Sequence, residues 1–231
     1  MGWRARLDEI CGAYGLGDDQ RERLARLLEL LRDDETAPTA VRDPDRGVDV
    51  HVADSLAALE LDVVRSARAI ADVGAGAGLP GLPLAVSLPG AHVALVESAR
   101  RKCAFLERAI AVSGATNAEV SCARVEEWPG SELDLVCARA LAPLAVLVEY
   151  AAPLLAVGGH LLAWKGRPDG DEQRAGAEAA AEVGLRGERV VRVEPFAGVE
   201  HRTLHLYYKV SDTPARFPRR AGMARKRPLS T

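Results

Sequence analysis

Apolar side chains at positions 24, 27, 28 and 31 of the stretch Gln20–Arg32 recur with helical spacing, and charged residues fill the opposite face. The polar stretch from Asp33 to Gly47 holds Pro38 and Pro44 and is expected to be a loop, with a second helix from about Val50 to Arg65. From residue 68 the pattern changes. Short apolar runs at 68–73, 92–97, 118–123, 133–138 and 159–164 alternate with helical stretches near 79–87, 98–113, 143–155 and 170–183. Strands separated by helices of that length imply right-handed crossovers and a parallel sheet covered on both faces. Two last strands, at 189–193 and 203–210, are joined by a link too short for a helix, so the final strand is expected to pair antiparallel. The fold class is therefore α/β, with a seven-stranded, mostly parallel sheet. The chain divides into an N-terminal helical segment (1–65) packed on the core, a main domain (66–210) and a tail (211–231). With Pro214, Pro218 and Pro228, the tail is expected to be extended rather than packed.

Charge changes the picture of that tail. Residues 201–231 carry eight Arg or Lys against one acid, Asp212, and so hold +7 of a net −3, leaving −10 on the rest. A basic tail on an acidic body suits an anion-binding arm, and Arg216, Arg219 and Arg220 are its candidate contacts; a merely solvated tail is the alternative. Cys11, Cys103, Cys122 and Cys137 are scattered and form no metal-binding pair, so reduced thiols and no metal site are expected, with Cys122 and Cys137 as small buried hydrophobes. No apolar run approaches the roughly 20 residues of a membrane helix, and the N-terminal residues lack a signal-peptide core, so no membrane partner and a cytoplasmic location are expected.

The chemistry is concentrated after the first strand. Ala69–Val73 runs into Gly74, Gly76, Gly78 and Gly81, followed by a helix opened by Leu79-Pro80. Glycines at alternating positions let a backbone turn tightly and approach a ligand. The segment satisfies both Asp72-x-Gly74-x-Gly76-x-Gly78, the form seen in methyltransferases, and Gly76-x-Gly78-x-x-Gly81, the dinucleotide form. An acid two residues before the first glycine suits a cofactor carrying an ammonium and a sulfonium better than a pyrophosphate. Glu97, ending the second strand, would hold ribose hydroxyls in either case. Glu126, after the third strand, marks where S-adenosylmethionine enzymes contact adenine, and no substrate domain for a nicotinamide enzyme fits the remaining length. These points favour S-adenosylmethionine.

The extended loop from Gly74 to Ala85 resembles the RsmG family, the small-subunit ribosomal RNA guanine-N7 methyltransferases also called glucose-inhibited division protein B. Matching stretches follow in order: Val41-Arg42-Asp43-Pro44, His51-Val52-Ala53-Asp54-Ser55-Leu56, Glu97-Ser98 with Arg101-Lys102-x-x-Phe105-Leu106, Arg124-Val125-Glu126-Glu127, Ala138-Arg139-Ala140, Lys165-Gly166 and Thr213 to Gly222. The departures are Ala37-Pro38-Thr39 where the family reads Asn-Leu-Thr, Arg-Lys for Lys-Arg, and Glu97 where many members carry aspartate. The resemblance implies a Rossmann-like class I methyltransferase, S-adenosylmethionine as cofactor, and 16S ribosomal RNA or the small subunit as partner. It further implies that the backbone at Gly74 and Leu79 lines the cofactor, that Val125 and Glu126 flank the adenine, and that Arg139 contacts the cofactor.

Guanine N7 carries a free lone pair, so the reaction needs alignment rather than a general base, which agrees with the lack of an obvious catalytic dyad. Arg139 and Lys165 are the candidates for catalytic contact, Lys165 because it ends the fifth strand at the ligand-binding edge. His51, Lys165, His201 and Arg202 join the tail arginines as candidate RNA contacts, and a monomer is the default. The alternatives are a methyltransferase for another RNA or a small molecule, a nucleotide-binding protein without activity, and an NAD-dependent dehydrogenase. Deleting residues 214–231 is expected to weaken RNA binding and to leave cofactor binding alone.

Overall fold

The computed structural model describes residues 2–231. Helices α1 (Trp3–Ala13) and α2 (Asp18–Asp33) open the chain. The stripe anticipated in α2 faces inward, with Leu24, Leu27, Leu28 and Leu31 all buried. Asp18 and Asp19 in its first turn and Arg32 in its last complement the helix dipole. Gln20 Oε1 accepts the Gly17 N–H at 3.0 Å and closes the start of the helix. The leucines join the same apolar cluster as Leu82 and Phe105 of the main domain, so the N-terminal helices share its core.

The segment before the first strand differs from expectation. A helix begins at Pro44, inside the stretch expected as loop. Asp43 caps it by accepting the Asp45 N–H at 3.0 Å, and Pro44 takes the first helical position, where its missing N–H costs nothing. The helix expected from Val50 to Arg65 is not continuous either. After α3 (Pro44–Gly47) come a π-helical stretch (Val48–Ala53), α4 (Asp54–Leu56), a 3-10 turn (Ala57–Glu60) and, beyond Leu61, α5 (Asp62–Ser66). Nearly every side chain from Val52 to Leu59 is buried, so packing on all sides overrides the single apolar stripe a regular helix would present.

Seven strands follow: β1 (Ala69–Val73), β2 (His92–Val96), β3 (Ala118–Ser121), β4 (Leu133–Arg139), β5 (Leu155–Lys165), β6 (Leu185–Arg192) and β7 (Thr203–Lys209). Helices α6 (Gly81–Ser87), α7 (Arg100–Ser113), α8 (Leu144–Ala151) and α9 (Gly170–Glu182) form the crossovers. The order across the sheet is β3-β2-β1-β4-β5-β7-β6, parallel as far as β5, with β7 antiparallel to both β5 and β6. Six strands thus share one direction and the last opposes them, as the short link before β7 requires. One face is covered by α6, α7 and the N-terminal helices, the other by α8 and α9. From β1 the chain moves outward to β3, then returns to β4 on β1's other side. The crevice beyond the carboxyl ends of β1 and β4 is therefore the topological switch point, where ligands bind in such sheets.

The tail is not the free, extended arm the prolines suggested. It lies along α8 and α9 and includes α10 (Met223–Lys226), with Phe217 and Ala224 buried. Glu149, 1% exposed in the otherwise apolar α8, explains why. A carboxylate buried there needs a counter-charge, and Arg219 supplies it through two hydrogen bonds, Nε to Oε1 at 2.7 Å and Nη2 to Oε2 at 2.5 Å. No helix is long and apolar enough to cross a membrane among the described residues.

Candidate cofactor cleft and the charged cluster beside it

A cleft of about 390 Å³ opens at the switch point. Gly74 of the glycine loop, Glu97 and Ser98 after β2, Val125 and Glu126 after β3, and Ala140 and Leu141 after β4 contribute to its walls. Each follows the end of a parallel strand, so the register of the sheet brings them together. Gly74 and Gly76 have φ of 72° and 57°, the left-handed region where a side chain is strained. A Cβ on Gly76 would meet only the Gly74 carbonyl, at 3.7 Å, so the space above that residue is open to a ligand. Gly78 and Gly81 serve another purpose. A Cβ on Gly78 would run into Leu82, and one on Gly81 into Leu95 and Asp72, so these glycines let α6 pack closely on the sheet.

Glu97, 5% exposed, anchors the loop: Oε2 accepts the Gly76 N–H at 3.2 Å, and Oε1 accepts the Ala99 N–H at 2.9 Å. Lys102 Nζ lies 3.6 Å from Oε2. The carboxylate is thus fixed at the cleft wall with acceptor capacity to spare for hydroxyls. Glu126 stands at the far end, where its Oε1 accepts the Gly222 N–H at 2.8 Å. Tyr150 stands between Glu126 and Arg225; burial raises its phenol pKa, Glu126 adds to the rise and Arg225 opposes it. Ala140, with φ 55°, turns the chain off β4 and brings Leu141 to the cleft. Acceptors at two ends of a crevice with a bare backbone between them fit a nucleoside carrying a charged tail.

Several expected contacts lie elsewhere. Asp72, expected at the cofactor's ammonium, is 1% exposed beneath the loop, and its Oδ2 accepts the Gly81 N–H at 2.8 Å. Burial pushes its pKa up to about 7, partly offset by that hydrogen bond and by Arg139. It holds the loop to α6 and does not line the cleft. Leu79 is buried in the core, its N–H donating to the Ala75 carbonyl at 3.3 Å. Lys165, expected as a catalytic contact, pairs with Glu172 at 2.5 Å and donates to the Ala142 carbonyl at 3.2 Å, away from the cleft. His51 is buried: Nε2 lies 2.9 Å from the Val41 carbonyl and 3.3 Å from Thr39 Oγ1, and burial lowers its pKa. An RNA contact by His51 would need that packing to open. His201 lies at the surface against Arg167, 3.2 Å away. Of the tail arginines, Arg219 is consumed by Glu149, Arg216 lies 3.8 Å from Glu182, and Arg220 is exposed.

Arg139 does not enter the cleft. Its Nη1 donates to Asp54 Oδ2 at 2.8 Å and to the Val50 carbonyl at 3.2 Å. Asp54, 0% exposed, faces Arg202 on its other side, with Nε 2.6 Å from Oδ1. That N–H is not aimed along a hydrogen-bonding direction, so the contact is a close charge pair rather than a well-formed hydrogen bond. Trp164 Nε1 donates to the Asp54 carbonyl at 2.9 Å, a packing role. Asp54 stood in the sequence only within the His51–Leu56 stretch of the family resemblance; its two arginines stand 85 and 148 residues away. Arg124, Lys102 and Tyr150 also line the cleft without having been singled out for it.

The cysteines require a correction too. Cys103, buried in the first turns of α7, forms a disulfide with Cys122 just beyond β3, their Cα atoms 5.8 Å apart. Cys122 is exposed rather than buried. Only the fold brings the two within bonding reach. Cys11 and Cys137 are buried free thiols, and burial pushes Cys11 up to about 11.

A family model described as rRNA small subunit methyltransferase G matches residues 20–201. A relative from Rubrobacter xylanophilus called ribosomal RNA small subunit methyltransferase G is 44% identical over 196 residues, covering 81% of this chain and 75% of that one. One of the same name from Roseiflexus castenholzii is 40% identical, covering 95% and 97%. Among solved structures, an S-adenosylmethionine-dependent methyltransferase from Aquifex aeolicus superposes with a TM-score of 0.55 at 16% identity, over 71% of this chain and 96% of that one, a likeness of fold. Sequence, fold and the glycine-loop cleft agree: the chain belongs to the rRNA small subunit methyltransferase G family.

Proposed function

We propose that the protein transfers the methyl group of S-adenosylmethionine to N7 of a guanine in 16S ribosomal RNA. The observation that carries this reading is the cleft at the switch point, with Gly74 and the fixed carboxylate of Glu97 on its wall, open backbone at Gly76 beside Glu97, and the carboxylate of Glu126 at the far end. Glu97 would hold the ribose hydroxyls, Val125 and Glu126 would flank the adenine, and the open face above Gly76 would take the amino-acid end. Bound there, the cofactor supplies an electrophilic methyl group on a sulfonium. The chain's task is to present guanine in line with it, and positioning of this kind contributes on the order of 7–11 kcal/mol at best. A donor on N7 would block the reaction, so arginine belongs on O6 or on phosphate. Arg139 and Arg202, both partly exposed and held by Asp54, would take that role.

The basic tail supports a polyanionic substrate over a small molecule, since small substrates need no such surface. A tritiated methyl-transfer assay comparing naked 16S RNA, small subunits and whole ribosomes tests the proposal. Incorporation into RNA that becomes cleavable by reduction and aniline, as N7-methylguanine does, is the expected result. Methyl transfer only to small molecules would overturn it.

A further inference from the structure

Two residues lining the cleft, Gly222 and Arg225, come from the tail, which belongs to none of the strand ends that build the rest of it. Gly222 has φ 80° and turns its N–H onto Glu126, while Arg225 donates to the Leu141 carbonyl at 3.0 Å. Both therefore hold groups of the cleft wall, Glu126 at its far end and Leu141 where it packs on Gly74. Glu126 itself rides on a single 3-10 turn, Val125–Glu127, none of whose residues is buried, so little else fixes its carboxylate.

The tail is fastened on either side of this point. Before it, Thr213 Oγ1 donates to the Val183 carbonyl at 3.0 Å, Phe217 is buried against the α8–α9 face, and Arg219 grips the buried Glu149. After it, the Arg227 carbonyl accepts from Arg219 Nη2 at 2.8 Å, and Ser230 Oγ donates to Glu178 at 2.5 Å. Ala224, between the anchors, packs on Val146 and Tyr150. A segment that is merely solvated would bury neither an aromatic ring nor an ion pair.

We propose that residues 213–230 are a strap that completes the cofactor site, with Gly222 and Arg225 as its wall on the base side. Cofactor binding and strap docking then stabilise each other. The proposal rests on reading the cleft as the S-adenosylmethionine site. It also divides the tail's cations. Arg219 is held inward by Glu149, and Arg225, though exposed, spends a donor on the Leu141 carbonyl, whereas Arg220, Lys226 and Arg227 are exposed and have no acidic partner among the described residues. The same short segment thus carries the cofactor wall on one side and three free cations on the other. Coupling between two events on one segment is reciprocal, so phosphate on the outer cations would tighten the cofactor site. Contrary to the expectation for a simple RNA arm, disrupting the tail would cost cofactor affinity.

The test uses the full chain and S-adenosylhomocysteine. Limited trypsin cleavage after Arg220, Arg225 and Lys226 should slow several-fold when the ligand is added, with cleavage at remote sites unchanged. In calorimetry, Arg225→Ala and the uncharged pair Glu149→Gln with Arg219→Gln should each weaken binding by about tenfold, within the usual range of such coupling. Equal tail cleavage with and without bound ligand, or wild-type affinity in folded variants, would overturn the strap while leaving the cofactor assignment standing. Failure of the intact chain to bind would overturn both. Should the double variant not fold, tryptic protection of the wild-type chain decides.

Discussion

On one side of the carboxyl end of β4 lies a cleft whose glycine-loop wall is fixed over short sequence separations: Glu97 bonds to Gly76 and to Ala99, and Gly74 follows directly on β1. On the other side lies Asp54, buried completely and held by Arg139 at the end of β4 and Arg202 just before β7. The cleft is made largely of backbone and is open. The cluster is made of charged side chains and is closed around its acid. A cavity for a small cofactor needs a surface that does not change when the ligand leaves, which backbone at strand ends provides. Two arginines brought side by side need a shared counter-charge to order them, which a buried carboxylate provides.

The sharpest way to break this comparison is to remove the shared carboxylate. Asp54→Ala leaves two arginines facing each other across an apolar hole. Breaking a buried pair typically costs 3–5 kcal/mol, and because both guanidiniums can turn toward water we expect about 3 kcal/mol here. Chemical denaturation checks the loss, and calorimetry on the folded fraction should show S-adenosylhomocysteine affinity changed less than twofold. A large drop in that affinity would mean that the two regions are one.

Gly76→Asp attacks the other region. Its φ of 57° costs an ordinary residue about 1–2 kcal/mol. The carboxylate would project into the cleft next to Glu97, whose Oε2 accepts the N–H of this very residue. Ligand affinity should fall by about a hundredfold or more, on the order of 2.7 kcal/mol, while circular dichroism and the cooperative unfolding transition persist. Retained affinity by calorimetry would remove the cleft from the cofactor assignment.

Most of the cleft was legible in the sequence, and the reason is local. The glycine spacing, Glu97 at a strand end and Glu126 after the next strand are fixed by alternation of strands and helices, and any sheet of this order brings them together. The cluster was not legible. Asp54 appeared as a neighbour of His51, yet packing turns His51 to Val41 and Asp54 to two arginines. Asp72 and Lys165 stood at the right strand ends but spend their charged groups inside the fold, on Gly81 and Glu172. The tail's prolines and charge were visible, but not the single acid, Glu149, that calls Arg219 onto α8. The disulfide likewise depends on a helix start and a strand end meeting across 19 residues.

Two buried aspartates allow a subtler comparison, since Asp54 is in contact with two cations whereas Asp72 has only a backbone N–H for a direct partner. The pKa of Asp72 is raised from 3.8 to about 7, chiefly by burial. Between about pH 4 and pH 7 the unfolded chain has lost this proton and the folded chain keeps it. Stability therefore falls as pH rises through that window, by up to about 1.4 kcal/mol per unit. Asp72→Asn keeps an acceptor for the Gly81 N–H and should remove this contribution to the slope. Denaturation of both proteins at pH 5 and pH 7.5 checks it: the wild type should lose stability relative to the variant on going to the higher pH. Parallel curves would mean that Asp72 is ionised throughout.

The smallest effect concerns single cations on the strap, where inward and outward residues of like charge can be compared directly. Arg220 is exposed and has no acidic partner among the described residues, whereas Arg219, its neighbour, is held by Glu149 through two hydrogen bonds. If Arg220 meets an RNA phosphate, Arg220→Ala removes one released counterion, and the log–log slope of affinity against salt should become shallower by about 0.7–0.9. Folding stability should change by no more than about 0.5 kcal/mol, as at other exposed sites. Arg219→Ala should do the reverse: it leaves Glu149 buried without its partner and lowers stability by about 3 kcal/mol, while the salt slope per phosphate contact stays as it was wherever the strap remains docked. Filter binding of 16S RNA across a salt series, alongside urea denaturation of both variants, separates the two. An unchanged slope for Arg220→Ala would take that residue off the RNA path and leave Lys226 and Arg227 as the strap's remaining free cations.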